Sequence, residues 1–267
     1  MDAPVIALMT DFGDDDFFVA SLKGTILKIN PDARLVDITH RVPSFDFRTA
    51  SFILASCYRY FPEKTIFTVV VDPGVGSPRP VLLVETKHYF FVAPDNGVLT
   101  AVLDEEEVQQ VRTVTNEAYF LPAVSRTFEA RDKMAPVAAA LSTGLSCEEF
   151  GPEVDHYEKI ELKKPEIKKN EIAGQVLYVD KFGNLITNIP ESQIQELKER
   201  FKNIKLGLHI REHHISRYEE SYSKVTPGEL LFLIGSLGLV EIACREGSAA
   251  QRIKAVSGDP VKIRGTL

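Results

Sequence analysis

The chain has no tryptophan, and its three cysteines, Cys57, Cys147 and Cys244, are far apart and form no CxxC pair. An odd, scattered set offers neither a disulfide framework nor a zinc site, so it reads as three plain thiols in a reducing compartment. No stretch approaches the about 18 apolar residues that cross a bilayer. The opening MDAPVIALMTDFG has no basic flank and only a short apolar run before an aspartate, unlike a secretory leader. The expectation is a cytoplasmic protein that does not bind membranes. Positive charge is also scarce: 31 Lys and Arg stand against 38 Asp and Glu, a formal net charge of −7, which gives no field to attract nucleic acid. No P-loop is present, and the DFG at positions 11–13 lacks the Gly-rich, VAIK and HRD companions of a kinase.

What is present is enough chain, 267 residues, for a large domain and a small one, each with its own core. VIALMT (5–10) reads as a buried strand, and apolar residues recur at helical spacing over 16–29 until Pro31. RLVDIT (34–39), a helix over about 47–60 and TIFTVVV (65–71) continue the alternation, which predicts a parallel sheet covered on both faces. PVLLVET (80–86) and YFFVAP (89–94) predict a hairpin, and DKMAPVAAALSTG (132–144) a helix closed by Gly144. Residues 1–155 thus form an α/β domain. A charged stretch, 156–170, reads as a linker, and 171–267 reads as an all-β domain, sandwich or barrel, with one helix over 191–200.

Asp11 stands at the carboxyl end of the first strand, where open α/β sheets bind ligands and where a carboxylate can take both hydroxyls of a ribose. Asp14, Asp15 and Asp16 follow at the start of the first helix, where Asp14 and Asp15 favour its dipole and can cap it; a magnesium-dependent phosphohydrolase is the other use of such a triplet. In VVVDPGVGSPR, Asp72 ends an apolar run and Arg79 stands seven positions on, across a Pro-Gly turn. The plain structural use of these residues is a capped turn with a solvated arginine. The functional reading is a guanidinium that orients a carboxylate, holds it ionised and lets it position a water. In YVDKFGNLITN (178–188), a hairpin turn carries Asp180, Phe182 and Asn184, a set able to bind an amine and a purine.

Together with INPDARLVDITHRVPSFD, FVAPDNGVLT, TFEARDKMAPVAAAL and PGELLFLIGSLG, these segments resemble, in order, the S-adenosylmethionine hydroxide adenosyltransferases, or S-adenosylmethionine hydrolases, relatives of the fluorinating and chlorinating enzymes. The resemblance implies a Rossmann-like α/β domain followed by a β-barrel, assembled as a homotrimer with sites at subunit interfaces. It implies cleavage of S-adenosylmethionine by water at the ribose C5′, with no metal or organic cofactor. By the same resemblance Asp11 holds the ribose, and Asp16 and Asp180 hold the methionine amine. Phe45, Phe182 and Tyr222 line the adenosine pocket, Asn184 bonds the adenine edge and Ser236 lies near the methionine. Asp72 and Arg79 match two members of an Asp–Arg–His set that orients the attacking water. The halogenating relatives have a tyrosine where Asp72 stands.

The third member differs: the family's TFHGRD reads TFEARD, with Glu129 in the histidine position. The sequence therefore also admits a protein that binds adenosine or S-adenosylmethionine without turning it over. As a catalytic residue Glu129 would accept a hydrogen bond from the water, provided Arg79 does not monopolise it. On this reading Glu129→His restores the set and raises the rate.

Overall fold

The computed structural model describes residues 3–122, 125–201 and 204–266, which divide into two compact units, Met1–Glu161 and Leu162–Leu267.

In the first unit the chain runs β1 (Val5–Thr10), α1 (Phe18–Ile29), β2 (Arg34–Thr39), α2 (Phe47–Cys57), β3 (Ile66–Val70), β4 (Val81–Thr86), β5 (Phe90–Pro94), α3 (Thr100–Leu103) and β6 (Val108–Thr113). One π-helical turn, Ala130–Met134, then leads into α4 (Ala135–Ser142). The six strands form one sheet in the order β2-β1-β3-β5-β4-β6. β2, β1, β3 and β5 are parallel, whereas β4 pairs antiparallel with both β5 and β6. The predicted parallel core and hairpin thus share one mixed sheet.

Side chains alternate across this sheet as strand geometry requires. Ile6 and Leu8 join Leu22 and Ile26 of α1 and Val137 of α4 on one face, and Ala7 and Met9 join Leu54 of α2 and Val102 of α3 on the other. With both faces covered, the strands are nearly continuous apolar runs and the polar residues at their carboxyl ends are left at the sheet's edge. Within the expected linker, Glu158 N donates to Asp95 Oδ1 (2.7 Å) and Ile160 N to Thr100 Oγ1 (3.0 Å), so this charged stretch lies along the first unit as far as Glu161.

The second unit is built on β7 (Glu166–Lys168), β8 (Glu171–Val179), β9 (Leu185–Pro190), α5 (Glu191–Arg200), β10 (Lys205–Ile210), β11 (His213–Ile215), β12 (Leu230–Ile234), β13 (Leu239–Cys244), α6 (Ala249–Ile253) and β14 (Pro260–Thr266). Its strands are ordered β11-β10-β14-β8-β9-β13-β12, with β7 on β8, and every pair is antiparallel. Tyr218, just beyond β11, bridges to Phe232 of β12, which brings the two ends of the sheet together in a nearly barrel-shaped form. Ile172, Val176, Leu208, Phe232, Ile242 and Ile263 fill its interior.

Candidate active site

Asp11 N donates to Val70 O (3.3 Å), so the ends of β1 and β3 are joined at the carboxyl edge of the sheet, and Asp72 follows two residues later. The turn after it is shaped by Asp72 itself: Gly74 N donates to Oδ1 (3.0 Å), and Ser77 N to Gly74 O (3.1 Å). The chain reverses and returns Arg79 to the carboxylate. One nitrogen, Arg79 Nη2, lies 2.6 Å from Asp72 Oδ2 and 2.6 Å from Glu129 Oε2. All three side chains are 7–8% exposed. Arg79 Nη1 donates to Pro80 O, while Nε is buried with no protein partner among the described residues.

Arg79 favours the ionised form of Asp72, but it does not act alone. Burial pushes the Asp72 carboxyl above the ordinary aspartate value; Arg79 and the Gly74 N–H pull it back, and the negative charge of Glu129 raises it again. The balance is upward, because desolvation of a carboxylate outweighs one guanidinium that it must share.

Glu129 follows Phe128 and stands immediately before the π turn. The Phe128 ring packs edge-on against Phe12 (5.9 Å between centroids) and Phe18 (5.2 Å), tying Glu129 to the loop after β1. Its second oxygen is occupied too: Lys133 Nζ lies 2.5 Å from Glu129 Oε1. Sequence reasoning missed Lys133, although its i,i+4 spacing from Glu129 is the signal of a helical ion pair.

Asp11 Oδ2 accepts from the backbone N of Phe45 (2.9 Å), a residue in the left-handed region (φ 67°) whose ring is 67% exposed. Behind this loop, buried His40 places Nδ1 2.9 Å from Thr10 Oγ1, and its carbonyl accepts from Gly13 N (2.7 Å). The aspartates that follow do not cap α1. The helix starts at Phe18 with no acid in its first turn and no side-chain cap, and Asp14 instead pairs with Arg41 (2.6 Å). Asp16 is exposed. No group of three or more His, Cys, Asp or Glu is placed to hold a metal among the described residues.

In the second unit Asp180 organises the β8–β9 turn, with Oδ1 accepting from Phe182 N (2.9 Å) and Asn184 N (2.8 Å) and Oδ2 from Asn184 Nδ2 (3.0 Å). Gly183 must be glycine: its φ is 83°, and a Cβ there would fall 2.0 Å from Ser248 Oγ. Phe182 projects outward, 75% exposed. Tyr222 Oη donates to Glu241 Oε1 (2.6 Å). Glu241 is buried in β13, and its carboxyl is raised by burial, lowered by the Tyr222 hydroxyl and raised by nearby Asp180. Glu241 was not singled out from the sequence; its signal is a lone carboxylate in the apolar run LVEIAC. Ser236 lies exposed in the turn between β12 and β13.

The chain matches the S-adenosylmethionine (SAM) hydroxide adenosyltransferase N-terminal domain over residues 6–151 and the C-terminal domain of that name over 174–262. A (R)-S-adenosyl-L-methionine hydrolase of Salinispora tropica is 32% identical over 263 residues, 97% of each chain, and one from Methanocaldococcus jannaschii is 31% identical over 97% of this chain and 95% of its own. A fluorinase of Nocardia brasiliensis is 28% identical over 73% of this chain and 74% of its own. A crystal structure of an uncharacterized conserved protein from Thermotoga maritima superposes with a TM-score of 0.91 at 38% identity, covering 97% of this chain and 99% of that one. With both domain signatures in order and full-length relatives above 30% identity, the chain belongs to the SAM hydroxide adenosyltransferase family.

Proposed function

We propose that the protein hydrolyses S-adenosylmethionine to adenosine and methionine, at the carboxyl edge of the first unit's sheet, which we read as Rossmann-like. The observation that carries this reading is the buried Arg79 Nε–H, without a protein partner among the described residues, beside a shared carboxylate–guanidinium cluster. A buried donor left unpaired costs about 1–3 kcal/mol, a cost relieved when a water bound there accepts from it. Asp72, with its raised carboxyl, then accepts that water's proton. The oxygen attacks C5′, the C5′–S bond breaks, and the sulfonium leaves as the neutral thioether of methionine. Such a leaving group needs little assistance, so the protein's task is to deliver a desolvated water in line.

Within this reading Asp11 holds the ribose diol beside Phe45. Asp180, Phe182, Asn184, Tyr222 and Ser236 of one subunit complete the pocket of a neighbour in a homotrimer, while Asp16 and Asp180 take the methionine amine. Support comes from the exposure of Phe45 and Phe182, aromatic faces that a nucleoside or a second subunit would cover. The three cysteines are free thiols, consistent with work in the cytoplasm. The test is incubation of purified protein with S-adenosylmethionine and separation of products: equal amounts of adenosine and methionine are expected, and bound S-adenosylmethionine recovered intact would overturn the hydrolase and leave a binding protein.

A further inference from the structure

Two carboxylates and one guanidinium, all buried, would leave one uncompensated negative charge in a dry site, an expensive arrangement. Lys133 removes it. Glu129 offers Oε2 to Arg79 and Oε1 to Lys133, so Asp72, Arg79, Glu129 and Lys133 form an alternating chain of charges whose sum is zero. The ammonium also lies over the Phe120 ring, 5.7 Å from its centre. We propose that Lys133 is a positioning residue of this site: by holding Glu129 Oε1 it fixes Glu129 against Arg79, neutralises it, and keeps Asp72 able to lose its proton.

The inference rests on the hydrolase reading for its kinetic arm but not for its titration arm. Among the described residues Glu129 pairs with no cation besides Arg79 and Lys133, and Arg126, whose backbone and Cβ lie against Gly76, is not paired with it. Asp132 is occupied by Arg131 (2.6 Å), and Asp95, which feels the charge of Arg79, is another acid. Lys133 is one-third exposed, so its replacement leaves the core intact.

The experiment compares Lys133→Met, Glu129→Gln, the double variant and Lys133→Arg in the full chain. At saturating S-adenosylmethionine each single neutral variant strands one charge and should lower kcat about tenfold with little change in KM, while the neutral double variant recovers most of the loss of either single one. Lys133→Arg should restore the rate. Independently, the Asp72 carboxyl followed by carbon NMR should titrate at higher pH in Lys133→Met than in the parent, because an uncompensated Glu129 disfavours a second negative charge. Additive losses in the double variant, or an Asp72 titration that Lys133→Met does not move, would overturn the proposal. An inactive parent would refute the hydrolase reading while the titration still decides the role of Lys133.

Discussion

Asp72 and Arg79 were legible as a pair because a Pro-Gly turn forces residues on its two sides together. Glu129 was not, since fifty positions separate it from Arg79 and only family resemblance brought it to the site. Its neighbour Lys133 changes one expectation. Glu129 shares Arg79 Nη2 with Asp72 but is also paired with Lys133, so Glu129→His alone leaves Lys133 uncompensated and should lower turnover rather than raise it; activity should return when Lys133→Met is added. Steady-state kinetics of the two variants check this. The raised Asp72 carboxyl predicts the acid side of the pH–rate profile: because the ionised form is disfavoured by burial, kcat should fall with decreasing pH at a higher midpoint than an ordinary aspartate gives, and Asp72→Asn should abolish that limb with most of the rate. Asp11→Ala should weaken adenosine by about 1.5–3 kcal/mol, the worth of a hydrogen bond to a charged acceptor, measured by calorimetry.

Among the elements, long periodic segments were read correctly because burial on two faces leaves strong apolar patterns, as in β1, β3 and α1. The misses are short, locally determined or, like the six-residue edge strand β6 (VQQVRT), too polar to read as an apolar run. The three-residue strands β7 and β11 have too few side chains to show alternation, and α6, five residues long, is fixed by Ser248 capping Gln251 N (3.1 Å) rather than by periodicity. Asp14 and Asp15 were read as caps because an apolar helical pattern was read from residue 16, yet the helix begins at Phe18. The π turn before α4 was invisible to a 3.6-residue pattern; it connects Glu129 to the helix and is held from outside by Phe12, Phe18 and Phe128. Phe128→Ala should therefore cost about 3 kcal/mol of stability, the lower range for a buried aromatic, and lower kcat as Glu129 loosens. Denaturant unfolding and kinetics on the same variant check both. Gly183→Ala, which drives a methyl into Ser248, should disturb the Asp180 turn and weaken the ligand without unfolding the first unit.

At the scale of the molecule, the sequence showed an α/β part followed by a β part because their periodicities differ. The near-closure of the second sheet depends on the Tyr218–Phe232 bridge, a long-range pairing no local pattern reveals. Each unit has its own core, so a fragment ending at Glu166 should fold, yet lose adenosine because Asp180, Phe182 and Asn184 are gone; circular dichroism and calorimetry distinguish folding from binding. The central claim is that water attacks C5′. Reaction in water enriched in oxygen-18, followed by mass spectrometry of the nucleoside, tests it most directly: the account predicts adenosine carrying the label in its 5′-hydroxyl beside unlabelled methionine, and methylthioadenosine with labelled homoserine, or no labelled product at all, would contradict it.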